Sequence, residues 1–378
     1  MRSSTNPPVV VAIDLGYGLT KFAHLNRANG GTEVAYDLFP SMALGVDRRR
    51  YELEERRSEN VKVVSYNGES FVVGPDVTNR VASSSDFGRH LDDKYYDSAP
   101  YHALMRGALS YINEDHIDVL ALGLPVSHFR DPGKPAALKK AYTGVVDIDG
   151  QRQVTINKVV VRPQPMGGFY SLDRDIEGIN QTIAKYPHSG LKPLKDWNHL
   201  VETMTIVTVD PGEYTLDWLL VNKGKPNTDV SGAASDAGRH RVMTSVKEHL
   251  EAKIGRAIAP SNLQRLNNSL RTGAGFKLDG RAIDMTDPEI LEAARRAVRD
   301  PVGIMMNGIK GAWDIIDMIV LVGGHPAHYA EEIASRMPDM PIYVPKHSVF
   351  SNVEGLQLIG EGVAAADAEA NRSVVEAA

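Results

Sequence analysis

The sequence predicts an α/β protein built from two related halves. Three observations carry that prediction. Apolar, strand-like runs recur between helix-periodic segments along the 378 residues. Two stretches repeat one strand–Asp–Gly–strand pattern, and a third apolar strand ends in a glycine pair that opens a helix. The length accommodates two domains of roughly 150 residues or more. With 42% hydrophobic and 24% charged residues the composition is that of an ordinary globular protein, which excludes disorder as the main state. The absence of cysteine excludes disulfides, Cys-ligated zinc, iron–sulfur clusters and thiol nucleophiles. A net charge of −6 argues against a surface made wholly for nucleic acid. The apolar run Val9–Ile13 meets Asp14 at once and Met318–Val322 is equally short. Neither an export signal nor a membrane span is expected, and the reading is cytoplasmic.

In chain order, Pro8–Leu25 reads as a buried strand, a glycine turn and a returning strand. Val34–Pro40 is another strand. The mixed charges of Asp47–Asn60, where Arg48, Arg49 and Arg50 precede Glu52, Glu54 and Glu55, predict an exposed loop or short helix. Val61–Ser65 and Ser70–Val73 flank a Tyr-Asn-Gly-Glu turn and predict a hairpin. Apolar positions three and four apart over 98–113 predict a helix, followed by the strand Val119–Leu124. Val154–Val161 is a further strand, ended by the turn chemistry of RPQPMGGFY (Arg162–Tyr170) before a helical segment. Two prolines and a Ser-Gly pair make Tyr186–Leu200 a linker. The second hairpin, IVTVDPGEYTLDWLLVN, follows at Ile206–Asn222, and 236–299 is largely helical, interrupted by a turn at Thr272–Gly275 and a hairpin at Lys277–Ile283. Asp300-Pro301 predicts a new helix start, running to about Ile316. The strand Ile316–Val322, a helix over Ala327–Arg336 and an Ala/Glu-rich helix over 352–370 complete the chain. Open, mostly parallel sheets are the expected arrangement.

Val11–Asn26 (VAIDLGYGLTKFAHLN) and Val207–Asn222 (VTVDPGEYTLDWLLVN) match at Val, Asp, Gly and the closing Asn. Glycine is needed where a tight turn demands unusual backbone angles or where backbone N–H groups approach a phosphate. Two such turns facing one ligand would clamp a polyphosphate from both sides. Gly16, Tyr17 and Gly18 line the first turn, and Gly212, Glu213, Tyr214 and Thr215 the second. A phosphate chain brings Mg²⁺, held by one or two carboxylates and often through water, which makes Asp14 and Asp210 the candidate metal holders. Lys21 supplies a point charge for a phosphate. Gly323, Gly324 and His325, at the end of the apolar strand, place bare backbone beside a nucleoside, and the helix that follows favours anions. Gly133-Lys134 has no glycine five positions earlier and no Ser or Thr after it, so it is not a P-loop. Gly16-Tyr17-Gly18 lacks the third glycine of a dinucleotide fingerprint. Neither a nucleophile elbow nor a His-Glu-Xaa-Xaa-His zinc motif occurs.

Taken together these residues resemble the actin-like ATPase superfamily, which includes actin, the heat-shock chaperone ATPases and sugar kinases. Ile13–Lys21 resembles its first phosphate motif, Val209–Asp217 the second, and Val320–Pro326 the adenosine motif. Leu122–Phe129 with Arg162–Tyr170 resembles the first connecting region, and Ser351–Gly362 the second. The nearest pattern is that of the plasmid-segregation actins of the ParM/StbA type, including those of PRTRC clusters. The resemblance implies an actin-like (ribonuclease H-like) duplicated fold, with two domains each having a core and a smaller subdomain around a nucleotide cleft. Domain I is expected over 1–180 (small subdomain 40–97), domain II over 181–350 (small subdomain 236–305), and a C-terminal helix over 351–378 returning to domain I. It further implies slow, Mg²⁺-dependent hydrolysis of ATP or GTP, with Asp210 and Gln164 catalytic. Gln164 stands where the ParM type commonly has Glu, and a neutral amide orients a water without taking its proton. The expected partners are further copies of the chain in a head-to-tail filament and a DNA-binding adaptor that links it to plasmid DNA. A non-polymerising nucleotide switch or a small-molecule kinase on the same fold is the alternative. The sequence departs from the family pattern where Glu213 and Tyr214 follow Gly212 in place of a further glycine, and a carboxylate beside phosphates repels them unless it points away or binds metal.

Overall fold

The computed structural model describes residues 7–26, 33–48, 51, 59–80, 95–272, 275–278, 280–324 and 326–376. They form two compact units. The first holds the described residues up to Ser171 and the chain from Asn352 onward; the second is Leu172–Ser351. Among the described residues no helix is long and apolar enough to cross a membrane.

Among the described residues of the first unit the strands are β1 (Val10–Leu15), β2 (Leu19–Asn26), β3 (Glu33–Pro40), β4 (Leu44–Val46), β5 (Lys62–Tyr66), β6 (Glu69–Val73), β7 (His116–Leu124), β8 (Gly144–Asp147) and β9 (Gln153–Pro163). Its main sheet has the order β3-β2-β1-β7-β9-β8, and β4-β6-β5 forms a separate small sheet. β1 is buried along its whole length because it lies in the middle, pairing antiparallel with β2 and parallel with β7. The small sheet contains the predicted hairpin, closed by Asn67 and Gly68 with φ of 50° and 82°, the two positive values a type I′ turn requires.

The helix Ala99–Ile112 starts where Ser98 accepts a hydrogen bond from the Tyr101 amide, and it ends on Asn113 in the left-handed region. The Arg152 guanidinium donates to the carbonyls of Leu109, Ser110 and Glu114 at that end, satisfying groups the helix leaves open. Its apolar face, with Leu104, Met105, Ala108 and Leu109, completes the core with Val11, Ile13, Leu120 and Leu122. The C-terminal helix Ser351–Glu376 packs on the same unit, where Gln357 donates to the Val10 carbonyl. The helix Gln164–Tyr170 crosses it closely: a Cβ on Gly355 would stand 1.8 Å from the Gly167 carbonyl oxygen, so a side chain cannot fit at Gly355.

The second unit adds β10 (Thr205–Pro211), β11 (Thr215–Asn222), β12 (Lys225–Ser235), β13 (Phe276–Leu278), β14 (Arg281–Ile283), β15 (Met318–Leu321) and β16 (Ile342–Tyr343). Its main sheet runs β12-β11-β10-β15-β16. That order repeats β3-β2-β1-β7-β9 strand for strand, with the same two antiparallel and two parallel pairings. The duplication seen in sixteen residues of sequence is therefore a duplication of whole sheets. Helices Arg239–Ile254, Pro288–Ile309 and Ala327–Arg336 cover it, burying Val242, Val246, Val298, Val302 and Ile333 against Val207, Val209, Leu216 and Trp218.

Several expectations are corrected. The sheets are mixed rather than mostly parallel, since each begins with an antiparallel three-strand meander. Tyr186–Leu200 is not all linker: a helix spans Trp197–Thr203, capped by Asp196, which accepts from the His199 amide. Pro301 lies inside the helix Pro288–Ile309 instead of opening a new one. An interior proline costs about 3 kcal/mol in a free helix, but the buried stripe from Ile290 through Ala297, Val298, Val302 and Met305 runs unbroken past it. Beyond Ile309 the chain continues as a 3₁₀ helix, Lys310–Ile315. Most of the charged stretch at 47–60, and Gly273 and Ala274 of the predicted turn, lie outside the described residues.

Candidate functional site

In the first unit the β1–β2 turn is closed by a hydrogen bond from the Gly16 amide to the Leu19 carbonyl, 3.1 Å. The ladder sets Asp14 directly opposite Lys21. Asp14 is completely buried, and Lys21 Nζ donates to its Oδ2 at 2.7 Å. Gln164 Nε2 donates to Oδ1 at 2.7 Å and approaches the Leu15 carbonyl at 3.4 Å. Lys21 and Gln164, the latter 150 positions from Asp14 in sequence, thus share its carboxylate. Gly123 permits it. It pairs with Asp14 on the parallel side, and a Cβ there would meet Gln164 Cγ at 2.9 Å and Asp14 Oδ1 at 3.3 Å. Ser41 holds the turn from behind: its Oγ donates to the Gly16 carbonyl at 2.6 Å and its amide to the Gly18 carbonyl at 3.0 Å. Tyr17 stacks on Tyr95, ring centroids 4.8 Å apart.

The second unit repeats the device. The Gly212 amide donates to the Thr215 carbonyl at 2.8 Å, the counterpart of the Gly16 bond. Asp210 has Gly323 at its side: with φ of +82°, Gly323 would place a Cβ 2.3 Å from Asp210 Oδ1. Its amide donates to the Ser348 carbonyl at 2.8 Å. Among the described residues a Cβ on Gly324 would find nothing within 4 Å. The cross-strand partner of Asp210 is Asp217, where the first unit has lysine. Both carboxylates are buried, and Asp217 Oδ2 accepts from Thr215 Oγ1 at 2.7 Å. Thr208, two residues before Asp210 and on the same face of β10, is fully buried with a hydroxyl that has no partner among the described residues.

Glu213 is neutralised within the protein. It is ion-paired with Arg239, the first residue of the helix Arg239–Ile254. A Cβ on Gly238 would meet Glu213 C, the Gly212 carbonyl oxygen and Tyr214 N, each at 2.6 Å, so the bare glycine lets the helix start rest on the turn. Tyr214 stacks on His240 at 4.9 Å. Burial pushes the Tyr329 hydroxyl well above its usual pKa, and it donates to the Ala237 carbonyl at 2.6 Å.

Asp14, Lys21 and Gln164 therefore converge in one unit, and Asp210 and Gly323 in the other; Gly16, Tyr17, Gly18, Gly212, Glu213, Tyr214 and Thr215 form the turns as expected from the sequence. His325 lies outside the described residues. The sequence reading missed Ser41, Gly123, Thr208 and Arg239. Of these only Arg239 carried a signal, a Gly-Arg pair just before a helical segment that follows the second hairpin. The residues fit a nucleotide and a divalent cation. Two buried carboxylates opposed across a ladder want a positive charge between them. Among the described residues no three His, Asp or Glu side chains gather as a metal cluster.

Two protein families match the chain in succession. Residues 12–167 match the N-terminal domain of the actin-like proteins, and 208–333 match the C-terminal part of an archaeal, MreB-like actin homologue. No curated protein matches the sequence. Among solved structures, an archaeal actin homologue in complex with ADP superposes with a TM-score of 0.66 at 19% identity, over 93% of this chain and 99% of its own. The actin-like protein Alp7A gives 0.66 at 12% identity, over 97% and 100%. A 15-stranded ParM filament from Clostridium botulinum gives 0.61 at 19% identity, over 94% and 100%.

Proposed function

This chain belongs to the actin-like proteins, and from that premise we propose that it is a nucleotide-dependent, filament-forming ATPase that moves plasmid DNA through a DNA-binding adaptor. The observation that supports this reading best is the paired device just described: each sheet carries a buried aspartate near the end of its central strand, with a glycine turn after it and a second glycine against the carboxylate, Gly123 from within the neighbouring parallel strand and Gly323 from just past the end of its own. Such turns offer backbone amides to a phosphate chain. In this proposal Gly16, Tyr17, Gly18 and Lys21 of the first unit and Gly212, Glu213, Tyr214 and Thr215 of the second serve the phosphates. Gly323, Gly324 and His325 serve the nucleoside of ATP or GTP.

Asp210 and, through water, Asp14 would hold Mg²⁺, which when bound neutralises phosphate charge. Both Asp14 oxygens are already engaged, so direct ligation there would displace Lys21 or Gln164. Gln164 orients a water without accepting its proton, so turnover is slow. Slow hydrolysis suits a timer: the filament grows while nucleotide is intact and weakens after hydrolysis. Head-to-tail contacts between identical chains generate filaments when the rotation closes no ring. The net charge of −6 favours an adaptor over direct DNA binding.

Sedimentation of the full chain with Mg-ATP, Mg-ADP and EDTA tests this. Pelleting is expected in Mg-ATP; a chain that hydrolyses ATP yet stays in the supernatant under every condition is a switch or kinase instead. Asp210→Ala is expected to keep the fold, seen by circular dichroism, and to slow phosphate release about 10²-fold; release at the wild-type rate overturns the assignment.

A further inference from the structure

We propose that Arg239 is a phosphate ligand of the second turn, held in reserve by Glu213 until a nucleotide arrives. The inference rests on the nucleotide-binding reading and assigns a role to the one feature that reading does not absorb, a carboxylate in a phosphate turn. The charge inventory sets the problem. The first turn carries its own cation, because Lys21 stands opposite Asp14 in the ladder. The equivalent position of the second ladder is Asp217, so the turn and its flanking strand positions carry the carboxylates Asp210, Asp217 and Glu213, with no Lys or Arg in either strand. Three carboxylates alone would repel a phosphate chain.

Arg239 reaches the turn from outside it. Its amide donates to the Gly212 carbonyl at 2.9 Å, which pins its backbone to the turn glycine, and Gly238 before it has no side chain to hold the helix away. The guanidinium donates through Nη2 to Glu213, while Nη1 is buried with no hydrogen-bond partner among the described residues. A buried, unpaired donor on a charged group is costly, and a planar fork of donors matches a phosphate in two-point geometry. The missing acceptor therefore has the chemistry of a phosphate oxygen. Glu213 acts as the stand-in: it neutralises and orients Arg239 in the nucleotide-free protein, and the fork turns from carboxylate to phosphate when the nucleotide enters. The neighbouring Tyr214–His240 stack and the Tyr329 bond to Ala237 hold the surrounding backbone still while the side chain swings.

A reserve pair and a purely structural pair differ in sign. If the pair only braces the fold, losing either member harms nucleotide binding alike. If Glu213 competes with phosphate for Arg239, the two losses act in opposite directions. The experiment titrates the full-length chain with a fluorescent ATP analogue in Mg²⁺, for wild type, R239Q, R239K, E213Q and the E213Q/R239Q double variant, with thermal melts in parallel. R239Q is expected to weaken binding about tenfold to a hundredfold, R239K less. E213Q should tighten binding severalfold, and the double variant should match R239Q because Glu213 works only through Arg239. A gain of affinity in E213Q cannot arise from misfolding. Weakening in both single variants, or no change in either, overturns the inference while nucleotide binding by the wild type stands. If the wild type binds no nucleotide, the nucleotide-binding reading fails and this inference fails with it.

Discussion

The two Asp–Gly turns have the same backbone and opposite electrostatics. Each closes with the same amide-to-carbonyl bond, Gly16 to Leu19 and Gly212 to Thr215, and each presses a glycine against its aspartate. Across the ladder, Asp14 meets Lys21 whereas Asp210 meets Asp217. The first turn balances its charge internally and is preorganised. The second depends on cations from elsewhere, Arg239 and a bound metal ion in the reading proposed above. The turn closure is common to both units, and the charges differ at the cross-strand position, Lys21 against Asp217, and within the turn, where Glu213 has no counterpart at Tyr17 or Gly18. The turns also differ in what backs them. Behind the first, stacked or edge-on rings run from Tyr17 through Tyr95 and Tyr101 to His102; behind the second stands the Glu213–Arg239 pair.

The largest effect is expected from removing the internal cation of the first turn. Lys21→Met leaves Asp14 buried without its ion-pair partner and should cost about 3–5 kcal/mol in urea unfolding. A loss below 1 kcal/mol would mean that the two turns do not differ in the way their charges suggest. A smaller effect concerns the aromatic backing. Burial, with Arg106 nearby, holds His102 at a pKa of about 4 against 6.5 for the free side chain, and its Nδ1 is hydrogen-bonded to the Tyr142 hydroxyl at 2.6 Å. The unfolded chain takes up the proton first, so this contribution to stability is intact above pH 6.5 and falls as the pH drops towards 4. Urea midpoints measured from pH 7 to 4 should decline less steeply in His102→Gln than in wild type; parallel curves would remove His102 from the account. The smallest effect is expected in the second ladder. Asp217→Asn relieves two like charges facing each other and should stabilise the metal-free protein by about 0.2–1 kcal/mol. Its sign, opposite to that of Lys21→Met, is the sharpest statement of the comparison, and a lower melting temperature would contradict it.

Much of this was legible in the chain. The two hairpins, the Asn-Gly turn of the small sheet and the helix at 99–112 follow from periodicity and turn residues acting over a few positions. The doubled aspartates were legible for the same reason. Pro301 misled because its local preference to open a helix is outweighed by a buried stripe that continues through it. The helix at 197–203 was hidden by prolines and a Ser-Gly pair that precede its Asp196 cap. The mixed sheets were hidden because an apolar strand reads alike beside a parallel or an antiparallel neighbour.

What the sequence by itself determined is the pair of presenting turns, since glycine conformation and strand alternation are settled by sterics within a few residues. The tertiary structure decided what each aspartate touches. Gln164 reaches Asp14 only because β7 sets the bare Gly123 beside it, Ser41 grips the first turn from the far end of β3, and Arg239 meets Glu213 only because Gly238 admits a helix start at van der Waals range. These contacts join positions far apart in the chain through sheet register and close packing, and neither is written in any short stretch of sequence.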